Sequence, residues 1–314
     1  MISPHNSSTS ILMCGNAAYF QHIAACLISL VENNPEIVFS VVVVATDWDE
    51  SSNRKLLQSF KNYDNIEINI KLLNPAPLEK LPQIKAWPKE IYARFWIEDY
   101  FPADVERVIY LDGDMVIRAS VKPLIELDLE KAMLAAVCIP GSKSPSRLGY
   151  DPNDGYFNSG VMVINLAKWR AEKARDLLIK TTFDLVGKLN DPDQDALNYC
   201  FRKEYIRLDY VWNAISPFFK ETHSLELPEQ EIARVRREAR IIHFNGQAKP
   251  WNYLSFHPHT KYYLQCVAKT EWRGFEPRGF SIKNFFKKHI INTFGEYRVG
   301  RAMTMFRRVR SGSR

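Results

Sequence analysis

The chain has 314 residues, 46% of them apolar and 25% charged, with a formal net charge of +6. That balance excludes a disordered chain, and the length allows a large buried core, as one α/β domain with appendages or as two domains. The longest uninterrupted apolar runs, such as Val41 to Ala45, fall far short of a membrane span.

In chain order, Ser10 to Cys14 reads as a first strand and Gly15-Asn16 as the turn after it. A helix follows, with Ile23, Leu27, Leu30 and Val31 at helical spacing and Asn33-Asn34-Pro35 as its stop. Val38 to Ala45 is a nearly continuous β-branched run, expected for a strand covered on both faces. Ser51-Ser52 are placed to cap a helix carrying Leu56, Leu57 and Phe60. Ile66, Ile68, Ile70 and Leu72 then alternate with polar residues, as in a half-buried strand. This β-α-β-α-β order predicts a Rossmann-like, doubly wound, mostly parallel sheet.

The segment from Pro75 to Pro88 reads as a loop bordering a site, and Pro88 suits the first turn of a helix that runs to about Tyr100 and contains Arg94. Val108 to Leu111 is the next strand, followed by strands at Met133 to Ile139 and Gly160 to Asn165. Between these last two lies a loop from Pro140 to Asn158, rich in Gly, Pro, Ser and Asp. A helix is expected from Ala167 to Lys180, and another begins at Asp191-Pro192-Asp193-Gln194-Asp195, where the helix dipole favours carboxylates. Ile241-Ile242 lead into His243.

The chemistry starts at Asp112-Gly113-Asp114, where a buried strand ends in two carboxylates. Ligands of open α/β sheets bind at the carboxyl ends of strands, and two adjacent carboxylates there need a cation. Gly113 is expected to let the backbone approach whatever the cation holds. Cys14-Gly15-Asn16 and His243-Phe244-Asn245-Gly246 also follow apolar runs, so one parallel sheet could bring all three segments to a single edge. An imidazole beside two carboxylates suits Mn²⁺ better than Mg²⁺. Gly246 offers an unobstructed N–H and Lys249 a point charge, so the expected occupant is a metal-bound diphosphate.

Four motifs in this order resemble those of the retaining nucleotide-sugar glycosyltransferases of family 8, the group of bacterial lipopolysaccharide glucosyl- and galactosyltransferases and of glycogenin. They are Asp112-Gly113-Asp114, Tyr156 to Val161, Asp191 to Asp195, and His243 to Trp251, within a resemblance that covers roughly Ser10 to Tyr253. It implies a GT-A fold over residues 1–256, with Asp112, Asp114 and His243 binding Mn²⁺ (or Mg²⁺) and Gly246 and Lys249 holding the diphosphate. Cys14 and Asn16 would line the uracil pocket, and Arg94 would clamp the donor. Asn158, Asp193 and Gln194 would contact the donor sugar, with Gln194 near the anomeric carbon. The implied donor is UDP-glucose or UDP-galactose, and the implied acceptor a glycan or glycolipid such as a lipopolysaccharide core. The departure is at Cys14 to Ala18, where family members commonly carry an acidic residue.

An amide is a poor nucleophile, so Gln194 favours front-face attack, with double displacement through Asp193 or Asp195 as the alternative. Two rival readings are a haloacid-dehalogenase-type phosphatase, whose opening motif resembles Leu111 to Val116, and a non-catalytic sugar-nucleotide or membrane-binding module. Asp151 to Gly155 could suggest a Ca²⁺ loop, but it lacks the acidic spacing of an EF-hand and reads better as an acceptor-side loop.

From Ser281 onward nine Lys and Arg stand against Glu296 alone, a charge of +8 that leaves −2 for the rest. A near-neutral body with a basic tail argues for an anionic membrane surface as the tail's partner and against nucleic acid. Phe285, Phe286, Ile290 and Phe294 are spaced to share a helix face beside Lys283, Lys287 and Lys288, and Met303, Met305 and Phe306 precede a second basic cluster. Residues 257–314 are therefore expected to form a basic, helical, membrane-associating region. Five widely spaced cysteines without a C-x-x-C pair read as free thiols, and Met1 to Ser10 has no basic leader region. These features predict a cytoplasmic protein, peripheral on the inner face of the cell membrane.

Overall fold

A computed structural model describes residues 8–294 apart from Ala86, Thr222 and Ala248, and excludes the side chains of Asn292 and Phe294. The strand Thr9–Gly15 (β1) places Ile11 and Met13 in one apolar cluster and Leu12 in another. Alternate residues of a strand face opposite sides, so both faces of the sheet are covered, and the run reads as continuously apolar for that reason. The helix Phe20–Glu32 (α1) is buried along nearly its whole length, and the strand Phe39–Ala45 (β2) pairs parallel to β1. Asp49, not Ser51 or Ser52, caps the helix Glu50–Gln58 (α2): its carboxylate accepts from the Ser52 N–H at 2.7 Å. The strand Ile66–Leu72 (β3) closes this half of the sheet as its edge, with Ile66, Ile68 and Ile70 half-buried as their alternation requires and Leu72 exposed at the strand's end.

After the one-turn helix Ala76–Glu79 (α3), the segment expected to be an α-helix from Pro88 is a 3₁₀ run over Lys89–Asp99, broken at Trp96. At three residues per turn Tyr92 and Phe95 eclipse, and their rings pack 5.5 Å apart inside the core. The strands Arg107–Leu111 (β4) and Met115–Ile117 (β5) flank the two carboxylates. Then come the short helix Lys122–Ile125 (α4), the strand Leu134–Cys138 (β6) and the short helix Ser144–Leu148 (α5).

The strand Phe157–Asn165 (β7) begins earlier than its apolar pattern suggests, because Phe157 and Asn158 are strand residues and not part of the preceding loop. It also runs antiparallel to both neighbours. The helix expected from Ala167 to Lys180 is two helices, Leu166–Ala171 (α6) and Ala174–Asp184 (α7), separated where Lys173 takes a left-handed φ of 51°. Pro192–Phe201 (α8) and Tyr205–Leu208 (β8) complete the main sheet, whose order is β3-β2-β1-β4-β7-β6-β8 with only β7 reversed. The fold is thus mixed α/β with a mostly parallel seven-stranded sheet.

A second, three-stranded sheet stands apart from the first. Ala214–Ile215 (β9), the helix Glu229–Glu238 (α9) and Ile241–His243 (β10) follow β8, and the small sheet has the order β5-β10-β9. His243 therefore does not arrive on the main parallel sheet. It pairs opposite Met115, directly after the carboxylate pair, and the Phe244 N–H donates to the Asp114 carbonyl at 2.9 Å. The helix Thr260–Val267 (α10) packs on α1 in the same core, and Ile282–Phe294 (α11) ends the described chain.

Candidate active site

The reversal of β7 builds the site. Because it runs against β4, its first residues stand at the edge where β4 ends, and the Asp112 N–H donates to the Gly160 carbonyl at 2.9 Å. The pairing of β6 jumps from Ala136 opposite Met162 to Val137 opposite Asn158, so Ser159, Gly160 and Val161 arch away from β6. Asn198 of α8 pins the start of the strand: its side-chain amide accepts from Phe157 N–H at 2.7 Å and donates to Phe157 O at 2.9 Å.

Asp112, Asp114 and His243 converge here, and among the described residues they are the one group of three such side chains whose ligand atoms lie within 4.8 Å of one another. His243 Nε2 is 3.3 Å from Asp114 Oδ1 and 3.7 Å from Asp112 Oδ2. Burial alone would raise the Asp114 carboxyl, but His243 and the Lys249 ammonium hold it well below the usual carboxylate range. Lys249 also donates to the Phe244 carbonyl at 2.9 Å, so its ammonium rests against Asp114 at the edge of the cluster.

Arg94 ties the remaining acids together. Its guanidinium meets Asp112 Oδ1 at 3.2 Å, Asp193 Oδ2 at 3.1 Å and Ser159 Oγ at 3.0 Å, and lies over the Tyr110 ring at 4.4 Å. The Tyr110 hydroxyl donates to Asp112 Oδ1 at 2.8 Å. Burial raises the Asp193 carboxyl despite Arg94. Three carboxylates thus face two permanent cations, Arg94 and Lys249. A divalent ion suits both that charge deficit and the mixed oxygen and nitrogen donor set.

Three glycines shape the space around these side chains. A Cβ at Gly113 would lie 2.8 Å from Ile23 and 3.0 Å from Tyr19, so this glycine admits the packing of α1 and of the turn before it. A Cβ at Gly160 would lie 2.6 Å from His243 Cε1 and 2.7 Å from Asp112 Oδ2. Gly246, with φ of 79°, is exposed with open space around it, a backbone geometry that favours glycine.

A polar network lies beside the carboxylates. Gln194 Oε1 accepts from Asn158 Nδ2 and from Ser159 N–H, both at 3.0 Å, and Gln194 Nε2 donates to the Tyr156 hydroxyl at 3.1 Å. Tyr156 donates to Asp195 at 2.7 Å, and Asp195, without exposed surface, is gripped by two guanidinium N–H groups of Arg147 at 2.8 and 2.9 Å. Asn190 and Asp191 N–H groups complete its shell. Arg147→Met leaves that carboxylate without its counter-charge and is expected to cost about 3 kcal/mol of stability. Urea denaturation checks this, and an unchanged midpoint would mean that the tyrosine and backbone donors suffice.

The first-strand turn is held by its own hydrogen bonds. Asn16, exposed, spends its side-chain oxygen on the Tyr19 N–H at 3.0 Å as a cap. Burial pushes the Cys14 thiol up to about 12, so it stays neutral near Arg94 and Asp112. Asp47, two residues beyond β2, reaches the same turn and accepts from Ala17 N–H at 2.6 Å, placing a carboxylate there from the loop after the neighbouring strand. Asp151 to Gly155 forms a 3₁₀ turn capped by its own aspartate, and it contributes nothing to the three-ligand cluster. All five cysteines are free.

The mostly parallel sheet gathers carboxylates and a buried amide network at its strand ends, and the small sheet brings an imidazole beside them, an arrangement that fits a glycosyltransferase of the GT-A type. The model of glycosyl transferase family 8 matches residues 10–255, and the chain belongs to that family as a hexosyltransferase. A lipopolysaccharide 1,2-glucosyltransferase of Escherichia coli is 31% identical over 275 residues, covering 85% of this chain and 78% of its own length. A lipopolysaccharide 1,3-galactosyltransferase of Salmonella typhimurium is 29% identical over 247 residues, covering 76% and 72% respectively. Among solved structures, the galactosyltransferase LgtC in complex with donor and acceptor sugar analogs superimposes with a TM-score of 0.74 at 22% identity, covering 85% of this chain and 99% of that one, which establishes the shared fold. Family membership removes the phosphatase reading of the Asp112 motif.

Proposed function

We propose that the enzyme moves glucose or galactose from a UDP-sugar to a hydroxyl of a lipopolysaccharide-core or similar surface-glycan acceptor, assisted by Mn²⁺, or Mg²⁺, at Asp112, Asp114 and His243. The observation that carries this reading is the convergence of those three side chains beside Arg94 and Lys249. When bound, the metal offsets the negative charge that grows on the leaving diphosphate. Lys249 and the open N–H of Gly246 add fixed positive charge on the same side. Arg94 locks Asp112 and Asp193 into one constellation, and Asp193, Asn158 and Gln194 face the sugar. Cys14, Asn16 and Asp47 border the base.

The hydrogen bonds favour front-face attack, with the leaving phosphate taking the acceptor's proton. Gln194 Oε1 already accepts two N–H groups, and Asp195 is sealed by Arg147 and Tyr156. Neither group has lone pairs free to attack a sugar, so double displacement would have to run through Asp193, which Arg94 holds by one oxygen. The deciding experiment is a donor panel of uridine, guanosine and adenosine diphosphate sugars, each with and without Mn²⁺. Turnover confined to UDP-glucose or UDP-galactose is expected, and preference for another base overturns the donor assignment.

The acceptor reading rests further on the chain's last part. Phe280, Ile282, Phe285, Phe286 and Ile290 are exposed on and before α11, with Lys283 and Lys287 exposed among them. Among the described residues no helix is long and apolar enough to cross a membrane. The second basic cluster and its methionines lie outside the described residues. Apolar side chains interleaved with lysines fit an interfacial helix on the inner membrane face, at about 1 kcal/mol per basic residue held near an anionic leaflet. Full-length protein is expected to sediment with anionic vesicles at low salt and to be released at high salt. Truncation after Gly279 and the pair Phe285→Ser with Phe286→Ser should both abolish binding, whereas retention by both would point to a soluble glycan acceptor.

A further inference from the structure

Asn213 has no place among the ligands or the sugar contacts, yet it is fully buried at the junction of the two sheets. Its side-chain oxygen lies 3.0 Å from His243 Nδ1, and its side-chain nitrogen donates to Asn158 Oδ1 at 2.8 Å. The direction of these bonds follows from the backbone. Asn158 Oδ1 also accepts the Gly160 N–H at 3.1 Å, and a backbone N–H cannot reverse its role. That atom is therefore an oxygen, and its other partner must be a donor, which turns the Asn213 amide so that its oxygen faces the imidazole. A neutral imidazole meeting that oxygen must carry its proton on Nδ1, and Nε2 then turns a lone pair toward Asp112 and Asp114.

The same logic fixes the other end. Ser159 N–H donates to Gln194 Oε1, so Gln194 Nε2 donates onward to Tyr156, and Tyr156 donates to Asp195. Donors thus point one way from His243 through Asn213, Asn158, Gln194 and Tyr156 to the carboxylate held by Arg147. Two backbone N–H groups of one strand, from Ser159 and Gly160, set the polarity of the whole chain.

We infer that Asn213 is a positioning residue that holds His243 in its Nδ1–H form for metal binding and, through Asn158, orients Gln194 against the donor sugar. The inference rests on the metal reading above. Partners of this kind fix the ring and sharpen its basicity, and their loss typically costs about 10–100-fold in metal affinity. Two substitutions separate the two halves of the role. Asn213→Leu removes both bonds. Asn213→Asp keeps an acceptor for the imidazole but sets a second acceptor against Asn158 Oδ1, which Gly160 N–H prevents from turning.

The test is ¹⁵N-histidine NMR on the metal-free full-length protein at alkaline pH, with Mn²⁺ titration and steady-state kinetics on the same variants. Wild type and Asn213→Asp are expected to show His243 protonated on Nδ1, whereas Asn213→Leu loses that preference and about 10–100-fold in Mn²⁺ affinity. Asn213→Asp should keep Mn²⁺ affinity while kcat falls by on the order of 10²-fold, the cost of roughly 1 Å of misplacement. Wild-type His243 protonated on Nε2, Asn213→Leu binding Mn²⁺ as wild type does, or Asn213→Asp turning over normally would each overturn the assignment. The tautomer arm uses neither metal nor donor. Failure of the metal reading would instead show as wild-type protein that binds no Mn²⁺ with the Nδ1 proton in place.

Discussion

Asp112→Asn and His243→Ala are each expected to lower hexosyl transfer by on the order of 10³-fold or more while leaving the protein folded. A metal bound at this site would supply several kcal/mol of transition-state charge stabilisation, and about 1.4 kcal/mol corresponds to tenfold in rate. The amide that replaces the Asp112 carboxylate would still meet Arg94 and the Tyr110 hydroxyl, so the substitution removes charge without opening a cavity. His243→Ala empties a buried ring position but leaves the β5–β10 pairing, which uses backbone groups alone. Chelation of the wild type should reproduce the loss, and added Mn²⁺ should restore the wild type and neither variant. Mn²⁺ titration, kcat and thermal melting on the same samples decide the matter. Full turnover of both variants in metal-free buffer would remove the metal from these residues.

Gly160→Ala is expected to be nearly as damaging, although a methyl group carries no chemistry. Its Cβ would stand 2.6 Å from His243 Cε1, 2.7 Å from Asp112 Oδ2 and 2.8 Å from Met115 Cε, so at least one ligand must move. His243 cannot retreat freely, since Asn213 holds its other nitrogen and the ring is buried. Asp112 is the more exposed of the two and should swing away, straining its bonds to Arg94 and Tyr110. A displacement of roughly 1 Å at such a centre can cost 10²-fold in rate. Mn²⁺ affinity should fall together with kcat, and melting should drop by less than for a core truncation. An active Gly160→Ala protein with wild-type Mn²⁺ affinity would mean that the ligands take a different arrangement from the one described.

The fold class was legible because its cause is local. Val41 to Ala45 and Val108 to Leu111 are continuously apolar because helices and loops cover both faces of the sheet, and the alternation of Ile66 to Leu72 marks an edge. The candidate ligands were legible for a similar reason: two acids ending an apolar strand are costly without a cation, and that cost shows in the residues themselves. Motif resemblance then assigned Arg94, Asn158, Asp193, Gln194 and Lys249 to the same site, and the structure places all five around Asp112 and Asp114.

Direction and contact were not legible. An apolar strand carries the same pattern whichever way it runs, so the reversal of β7 could not be read from Gly160 to Asn165, nor could the placement of His243 on a separate sheet. The 3₁₀ winding around Arg94 and the break at Lys173 likewise depend on what those segments pack against. Gly113 and Gly160 look equivalent in sequence, yet one admits α1 and the other clears the ligands. Asn213 carries no motif signal at all, and Tyr110 and Tyr156 carry none for the bonds they make, since a buried amide or phenol is identified by its partners. The sequence by itself determined a parallel-rich α/β enzyme with acids at a strand end, because burial and charge are properties of single residues and short runs. Only the tertiary structure decided which hydrogen bonds orient those acids and their histidine, because a hydrogen bond needs a partner within about 3 Å and a fixed donor direction, and no linear pattern encodes either.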